Sequence, residues 1–260
     1  LGLMGYANNS GLGIMMQDLA EVFDVAAQLV IPGGDKGTDL SITEGKVKEY
    51  KLADSWQPNE TDLKWLFSKA DTIITVETDF NSGFFNIAKR EGKNVVFIPM
   101  GEWFDNERYL GATTYIATSK YTESQILFNN KIYLPWPINT NKFKFKSRGE
   151  KPRVFLHNGG FGGMHYRKGT IETIKAFSLV KRKDIKLIVN CQRSLKFFGD
   201  EIEKIVLEDK RIEWCTNNFK DNASMYDIGD VYLYPARYDG QALVAEEAMA
   251  CGFPVFVTDA

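Results

Sequence analysis

Residues 238–255 read YDGQALVAEEAMACGFPV, and this stretch decides the fold because it joins a strand end, a glycine turn, a helix and a second strand. Asp239 lies in the turn, and Glu247 follows it eight positions later in the helix. Both carboxylates can therefore face a ligand at the carboxyl end of the strand, while backbone N–H groups near Ala242 point at an anion. This geometry suits a nucleoside diphosphate.

Apolar strands alternate with helical patterns along nearly the whole chain, which is typical of parallel sheets covered by helices on both faces. The predicted strands are residues 1–5, 25–31, 72–76, 95–98, 115–117, 154–157, 186–190, 211–214, 231–234 and 255–258. The predicted helices are residues 13–23, 61–70, 84–91, 122–128, 169–183, 200–207, 222–227 and 243–250. Pro135 and Pro137 interrupt regular pairing between the two halves. We therefore expect an α/β fold of two Rossmann-like, doubly wound domains, residues 1–138 and 139–260.

The composition is that of a globular protein: 260 residues, 44% hydrophobic and 25% charged. The net charge of −2 argues against nucleic acid as a partner. No window approaches the roughly 18 apolar residues of a membrane span, so we expect a cytoplasmic protein with at most peripheral membrane contact. The three cysteines are widely spaced in strand or helix-end contexts, which predicts buried thiols, and a chain with only two histidines is not expected to hold a zinc site.

One basic segment departs from this average. Residues 142–148 read KFKFKSR, and Lys151 and Arg153 follow. Such a run can meet anionic lipid or a nucleic-acid backbone, or it can be a solvated linker whose aromatic residues pack against a domain. The second interpretation is the more usual one for a run of this kind.

A second glycine-rich segment, FLHNGGFGGMHYRKG at residues 155–169, follows a predicted strand and precedes a long helix. Glycines such as Gly160 permit close approach of a phosphate to the backbone, and the adjacent cations Arg167 and Lys168 neutralise its charge. The alternative is a surface loop with a solvated basic pair. His157 is expected at a buried strand end, and His165 in the loop.

Near the N-terminus, residues 8–13 read NNSGLG between the first strand and the first helix. The backbone amides of Gly11 and Gly13 can touch a phosphate or an acceptor there. The segment lacks the third glycine of a dinucleotide-binding fingerprint, because Met16 occupies that position, and no Walker sequence occurs. Both failures argue against NAD and ATP.

The stretch at residues 238–255 resembles the donor-binding signature of the retaining GT-B glycosyltransferases of family 4 (group 1). In that family two glutamates flank a glycine-rich turn, and a helix ending in EAMACG-PV follows; residues 247–252, 254 and 255 match. Lys168-Gly169 matches the family's lysine for the donor diphosphate. The first acid is Asp239 where the family usually has glutamate, and no arginine stands at the usual place among the glycines.

The resemblance implies two domains facing a cleft and a set of site residues. Lys168, with Arg167 as a substitute for the missing arginine, and the amides of Gly240, Gln241, Ala242 and Leu243 would stabilise the diphosphate. Asp239 would hold sugar hydroxyls, and the loop containing Asn217 would hold the base. Glu247 is placed to accept two hydrogen bonds from the ribose diol. Glu77, Asp79 and Glu102 follow strands of the first domain and are acceptor-side candidates.

The expected function is transfer of a sugar from a nucleotide diphosphate sugar to an acceptor hydroxyl, with retention and without a metal or other cofactor. The acceptor can be a carbohydrate, a lipid-linked molecule or a protein. In a front-face reaction the leaving diphosphate takes the acceptor's proton, so that no strong protein base is required. The alternatives are a non-catalytic sugar-nucleotide-binding subunit and a sugar-nucleotide epimerase. Since family members normally continue beyond the last strand here, we also expect the chain to be a fragment that lacks its C-terminal end.

Overall fold

A computed structural model describes residues 1–160, 166–216 and 222–259. The chain divides into two units, Leu1–Trp136 and Pro137–Ala260, with a boundary two residues before the expected one. Each unit contains one sheet, and all strand pairs recorded in both sheets are parallel. The predicted fold class, two Rossmann-like α/β domains, is confirmed.

The first unit has a seven-stranded sheet in the order β3-β2-β1-β4-β5-β6-β7. Its strands are β1 (Gly2–Tyr6), β2 (Val25–Ile31), β3 (Val47–Leu52), β4 (Thr72–Val76), β5 (Asn94–Ile98), β6 (Thr114–Ala117) and β7 (Lys131–Tyr133). The central strands β1 and β4 are almost wholly buried and apolar, as expected when helices cover both faces of a parallel sheet. The sequence did not predict β3 and β7, which form the two edges.

The helices of the first unit begin at polar caps that the sequence supplies. They are α1 (Gly11–Val22), α2 (Glu60–Lys69), α3 (Phe84–Arg90) and α4 (Lys120–Gln125). Asn59 and Asp62 form a capping box at the start of α2, each side chain accepting from the other's backbone amide. One face of this sheet packs on a continuous core that includes the aromatic side chains of Phe84, Phe97 and Tyr115.

Helix α4 begins at Lys120, two residues before the predicted start at residue 122, and it ends at Gln125, before the predicted end at residue 128. It begins early because the Ser119 side chain accepts from the Thr122 amide and caps the first turn. It ends at Gln125 because the Asn106 side chain accepts from the Leu127 amide and donates to the Gln125 carbonyl, both over 2.9 Å. Asn106 thereby provides hydrogen-bond partners for a carbonyl and an amide at the helix end, where the chain leaves the helix.

The second unit has a five-stranded sheet in the order β10-β9-β8-β11-β12. Its strands are β8 (Val154–Gly160), β9 (Lys186–Cys191), β10 (Ile212–Cys215), β11 (Val231–Tyr234) and β12 (Val255–Val257). Its helices are α5 (Thr170–Ser178), α6 (Asp200–Glu208) and α7 (Leu243–Ala250), and the predicted helix at residues 222–227 is a 3₁₀ helix. Two buried clusters form the core, one with Tyr226 and Ala248, the other with Ile174 and Ile202.

Helix α5 ends at Ser178, although the sequence predicted a helix over residues 169–183. The Arg211 guanidinium donates to the carbonyl oxygens of Val180 and Arg182, both over 2.6 Å. These carbonyls therefore lie outside the helix, and the exposed Leu179 forms its C-cap.

The basic segment after the second proline is packed onto the second unit. Phe143 is buried and contacts the Tyr226 ring edge to face, with centroids 5.8 Å apart. Arg148 donates over 2.9 Å to three backbone carbonyls, including those of Gly229 and Cys251, and lies 3.8 Å above the Phe253 ring. Part of this segment is therefore structural, as in the packed-linker interpretation.

Among the helices in the described ranges, none has the length and apolar character needed to cross a membrane.

Candidate functional site

Three side chains meet at the carboxyl end of β11 in the second unit. Asp239 lies in the loop after β11, and Lys168 lies in a 3₁₀ turn, Tyr166–Lys168, immediately before α5. The Lys168 ammonium is 2.5 Å from Asp239 Oδ2 and 2.7 Å from the Tyr234 hydroxyl oxygen. The Tyr234 hydroxyl in turn donates to Asp239 Oδ2. The structure therefore joins two predicted site residues through a tyrosine at the last position of the strand.

Arg167 completes the charged cluster. Its Nη1 atom donates to Asp239 Oδ1 over 3.2 Å, so each carboxylate oxygen has a cationic partner. The side chains of Arg167, Lys168 and Asp239 are only 20%, 14% and 12% exposed. Two cations therefore meet one carboxylate in this partly buried position, and cations held in place in this way suit an anionic ligand.

The turn that carries the two cations is fixed by backbone contacts with the loop after β11. Gly169 has φ 68°, and a Cβ atom there would lie 2.2 Å from the Pro235 carbonyl oxygen, so only glycine fits. The Arg237 amide donates to the Arg167 carbonyl over 2.7 Å. The Lys168 segment and the Asp239 loop are thus held together independently of their side-chain charges.

His157 also connects β11 with the start of α5. It is fully buried in β8, as predicted, with Nδ1 2.9 Å from the Leu233 carbonyl oxygen and Nε2 2.9 Å from the Thr170 hydroxyl. A carbonyl can only accept, so Nδ1 carries the proton and Nε2 accepts from Thr170. Burial lowers the pKa of His157 to about 4. His157 is therefore a neutral brace between β11 and the first residue of α5.

The start of α7 forms another part of the predicted anion site. Ala242 is its N-cap, and no side chain caps the first turn. The Leu243 amide donates to the Gln241 carbonyl over 2.9 Å. The Gln241 side chain donates to both carboxylate oxygens of Glu246, at 2.8 and 2.9 Å, and burial raises the pKa of Glu246. The loop formed by Gly240 to Ala242 is therefore anchored at the helix start.

Glu247 belongs to a separate hydrogen-bonded group. It is 6% exposed, and its Oε2 accepts from the Tyr226 hydroxyl over 2.6 Å. Burial, followed by the charges of neighbouring groups including Glu247, raises the pKa of Tyr226 well above its usual range. The tyrosine therefore remains a donor and fixes the orientation of the carboxylate.

Gly160 lies at the end of β8, beside β9. Its φ is 54°, and the register shifts between Asn158 and Gly160. The Asn158 side chain accepts from both the Gly160 amide and the Asn190 side chain. This irregularity interrupts the regular pairing of β8 with β9 at the strand end. Asn217 and His165 lie outside the described residues.

In the first unit, Gly11 and Gly13 begin α1. The Gly13 amide donates to the Ser10 hydroxyl over 3.3 Å, so the cap already engages one of the amides expected to meet a ligand. A Cβ atom on Gly13 would lie 1.9 Å from the Asn8 carbonyl oxygen, whereas Gly11 has open space. Close packing therefore explains why residue 13 is glycine, and nothing in the structure explains why residue 11 is glycine.

Glu77 and Asp79 follow β4. Glu77 has φ 66°, an unusual conformation for a residue with a side chain, and its amide donates to the Ile98 carbonyl. Asp79 is buried, and its Oδ1 lies 3.3 Å from Arg108 Nη2. Burial raises the pKa of Asp79, and Arg108 opposes that rise. Asp79 is thus a paired, buried carboxylate, whereas Glu77 is partly exposed at the strand end.

Glu102 lies in a 3₁₀ turn, Gly101–Trp103, after β5. A Cβ atom on Gly101 would lie 2.8 Å from the Tyr121 ring, so this turn packs closely on α4. Trp103 is 57% exposed beside it. Glu77 and Asp79 follow β4 and Glu102 follows β5, and their role towards an acceptor stays a prediction.

The sequence did not single out the tyrosines of the second unit. Tyr234 and Tyr226 are both buried, and each hydroxyl contacts a predicted carboxylate. A buried tyrosine usually requires a hydrogen-bond partner, so the alternation of tyrosines in β11 was the available signal for Tyr234, and Tyr226 lies outside that strand. In the described residues, no group of three or more histidine, cysteine, aspartate or glutamate side chains is arranged to hold a metal ion.

Residues 139–260 match the family model described as glycosyl transferases group 1, as the resemblance in the sequence had indicated. This match covers nearly all of the second unit. A comparison with curated proteins by sequence found no match.

Solved structures resemble the whole chain. Anabaena HepE, solved with UDP and glucose, has a TM-score of 0.76 at 13% identity, over 100% of this chain and 81% of its own. The glycosyltransferase WaaG, involved in lipopolysaccharide biosynthesis, gives 0.63 at 15% identity, over 100% and 81%. The trehalose-6-phosphate synthase OtsA gives 0.65 at 13% identity, over 99% and 84%. At these identities the similarities establish the fold that this chain shares with GT-B glycosyltransferases.

Proposed function

We propose that this protein, whose second unit matches the group 1 glycosyl transferases, moves a sugar from a nucleotide diphosphate sugar to an acceptor hydroxyl with retention of configuration. The observation that carries the proposal is the half-buried cluster of Arg167, Lys168 and Asp239 at the carboxyl end of β11. The structurally similar HepE was solved in complex with UDP and glucose, which supports a nucleotide sugar as the donor class.

The cluster supplies what breaking a glycosidic bond to a diphosphate requires. As that bond breaks, negative charge develops on the leaving phosphate, and Lys168 and Arg167 are held in place beforehand by Asp239 and the turn at Gly169. Preorganised cations in a half-buried site stabilise such charge without rearrangement. The Leu243 amide is already engaged by the Gln241 carbonyl, so the amides of Gly240, Gln241 and Ala242 before α7 are our candidates for further donors to the diphosphate.

Glu247 is our candidate for the ribose. Tyr226 fixes its carboxylate, and a fixed carboxylate accepts two hydrogen bonds from a vicinal diol. Asp239 is our candidate for the sugar hydroxyls, and Glu77, Asp79 and Glu102 remain candidates for the acceptor. The acceptor hydroxyl's proton goes to the leaving diphosphate, so the reaction needs neither a strong protein base nor a metal or other cofactor.

The experiment has two stages on the full chain. Calorimetry with uridine, guanosine and adenosine diphosphates identifies the nucleotide, and the corresponding sugar nucleotides are then offered with hydroxyl acceptors. We expect one diphosphate to bind, sugar transfer to exceed hydrolysis, and the first product seen by proton NMR to keep the donor's anomeric configuration. A product with inverted anomeric configuration refutes retention. Conversion of the sugar nucleotide without any acceptor identifies an epimerase. Binding of the diphosphate without turnover identifies a non-catalytic subunit.

A further inference from the structure

Tyr234 is a buried residue whose hydroxyl contacts two members of the charged cluster. Its hydroxyl accepts from the Lys168 ammonium over 2.7 Å and donates to Asp239 Oδ2. Burial, together with the Asp239 charge, raises the pKa of Tyr234 far above its usual range, so the hydroxyl stays protonated and remains a donor. The residue is 2% exposed and belongs to a strand in the interior of the sheet, so the hydroxyl has little freedom to move.

A phosphate that reaches this cluster must compete with Asp239. Lys168 and Arg167 both contact that carboxylate in the ligand-free site, one on each oxygen. A bound phosphate draws both cations towards itself, since phosphate carries more charge than a carboxylate. Asp239, whose side chain is 12% exposed, would then lose its ion pairs, and a buried carboxylate without partners is strongly unfavourable.

Tyr234 is the hydrogen-bond partner that Asp239 keeps when both cations move to the phosphate. Its hydroxyl is held in place by β11, so it continues to donate to Asp239 when the cations move to the phosphate. We propose that Tyr234 is a positioning residue for the donor diphosphate: its hydroxyl holds Asp239 in place when Lys168 and Arg167 exchange that carboxylate for the terminal phosphate. This inference rests on the proposed function.

The same strand offers a matched control. Tyr232 is fully buried two residues earlier, on the same face of β11, with its ring stacked 6.4 Å from that of Tyr234. Within the described residues its hydroxyl neither accepts a hydrogen bond from Lys168 nor donates one to Asp239. Tyr232→Phe and Tyr234→Phe therefore remove the same atom from neighbouring buried sites, but only the second removes it from the charged cluster.

The test compares diphosphate and monophosphate binding by calorimetry in the wild type and both variants, using the nucleotide that the wild type binds. We expect Tyr234→Phe to weaken diphosphate binding by about tenfold, the scale for a hydrogen bond to a charged group, while monophosphate binding stays the same. Tyr232→Phe should leave the ratio of the two affinities unchanged. If both variants change that ratio equally, or neither does, the role of Tyr234 is wrong.

A second variant tests the exchange itself and does not depend on Tyr234→Phe folding. Asp239→Asn keeps the shape of the side chain but removes the charge with which the phosphate competes. We expect this variant to bind the diphosphate more tightly, by about threefold or more, and to transfer sugar more slowly. Weaker diphosphate binding by Asp239→Asn contradicts the exchange.

The outcomes separate this inference from the proposed function. If the wild type binds no nucleoside diphosphate, the proposed function and the inference fail together. If the wild type binds and transfers, but Tyr234→Phe matches Tyr232→Phe, only the inference fails. Thermal unfolding of each variant distinguishes a loss of binding from a loss of the fold.

Discussion

Lys168 carries the charge on which the proposed chemistry most depends. Its side chain is 14% exposed, and its ammonium is held between Asp239 and Tyr234, so it can act on a phosphate without first being ordered. Its partner gains negative charge as the glycosidic bond breaks, and Lys168 should therefore stabilise the transition state more than the bound donor. We expect Lys168→Ala to lower kcat by about 100-fold and to raise the donor KM only a few-fold.

Steady-state kinetics on Lys168→Ala and Lys175→Ala check this expectation. Lys175 lies on α5 and pairs with Glu201 at the surface, 2.7 Å away, so its removal is a control for loss of a positive charge. Equal losses in kcat and donor affinity for Lys168→Ala would indicate simple ground-state binding.

Glu247 should act on the nucleoside rather than on the phosphates. Its carboxylate is oriented by Tyr226, and Glu247→Gln keeps the shape while weakening acceptance of hydrogen bonds from a diol. We expect nucleotide affinity to fall by about 1–3 kcal/mol, the scale for losing hydrogen bonds to a charged group. Calorimetry with the ribonucleotide and its 2′-deoxy form measures this loss, and the variant should discriminate less between the two.

Glu246→Gln is the neighbouring control, because Glu246 pairs with Gln241 at the start of α7 and not with Tyr226. Unchanged nucleotide affinity in Glu247→Gln, or an equal loss of discrimination between the ribonucleotide and its 2′-deoxy form in Glu246→Gln, would remove Glu247 from the ribose site.

At the scale of elements, His157 ties β8 to β11 and α5 and should make the second unit sensitive to acid. Burial lowers its pKa to about 4, from 6.5 in the unfolded chain, so the unfolded state binds the extra proton between these values. The resulting stability is present above pH 6.5 and is lost as the pH falls towards 4. We expect the wild type to lose about 2 kcal/mol through His157 between pH 7 and pH 5.

Urea unfolding at the two pH values, on the wild type and His157→Asn, measures this contribution. The asparagine variant should be less stable at pH 7, but its stability should fall less on acidification. Parallel losses in the two proteins would show that His157 is not the group responsible.

The elements that the sequence predicted well are those whose burial is continuous. The strands β2, β4 and β11 have the predicted bounds, since runs of largely buried, mostly apolar or β-branched residues mark them. Strand β3 reads VKEYKL and is mostly exposed, so only its pairing with β2 defines it. The ends of α4 and α5 depend on Asn106 and Arg211, which lie about 20–30 positions away in sequence. A pattern of neighbouring residues in the sequence gives no information about contacts between residues that are far apart in the chain.

The same limit applies to the candidate site. Asp239, Lys168 and Glu247 could be named as candidates because each lies in a short local sequence signature, Lys168 in one and the two carboxylates in another. Tyr234 and Tyr226 were not, because their roles depend on side chains brought close by the sheet and by α7. The pairing of Asp239 with both cations also required the structure, since no spacing rule links residues separated by about 70 positions.

At the scale of the whole molecule, we predict sugar transfer without a divalent metal. Two cations already face the position proposed for the diphosphate, and a helix start lies in the same unit. We expect the transfer rate with saturating chelator to equal the rate with added magnesium or manganese. Loss of activity with chelator, restored by either ion, would contradict leaving-group stabilisation by these cations alone.

The central claim is that the cluster of Arg167, Lys168 and Asp239 binds the terminal phosphate of a nucleoside diphosphate. Phosphorus NMR of the bound nucleotide tests it most directly, because the two phosphorus resonances report the two phosphates separately. We predict that binding to the wild type shifts the terminal resonance, that Lys168→Ala removes most of this shift, and that Lys175→Ala keeps it. A terminal resonance that shifts equally in the wild type and Lys168→Ala would contradict the claim.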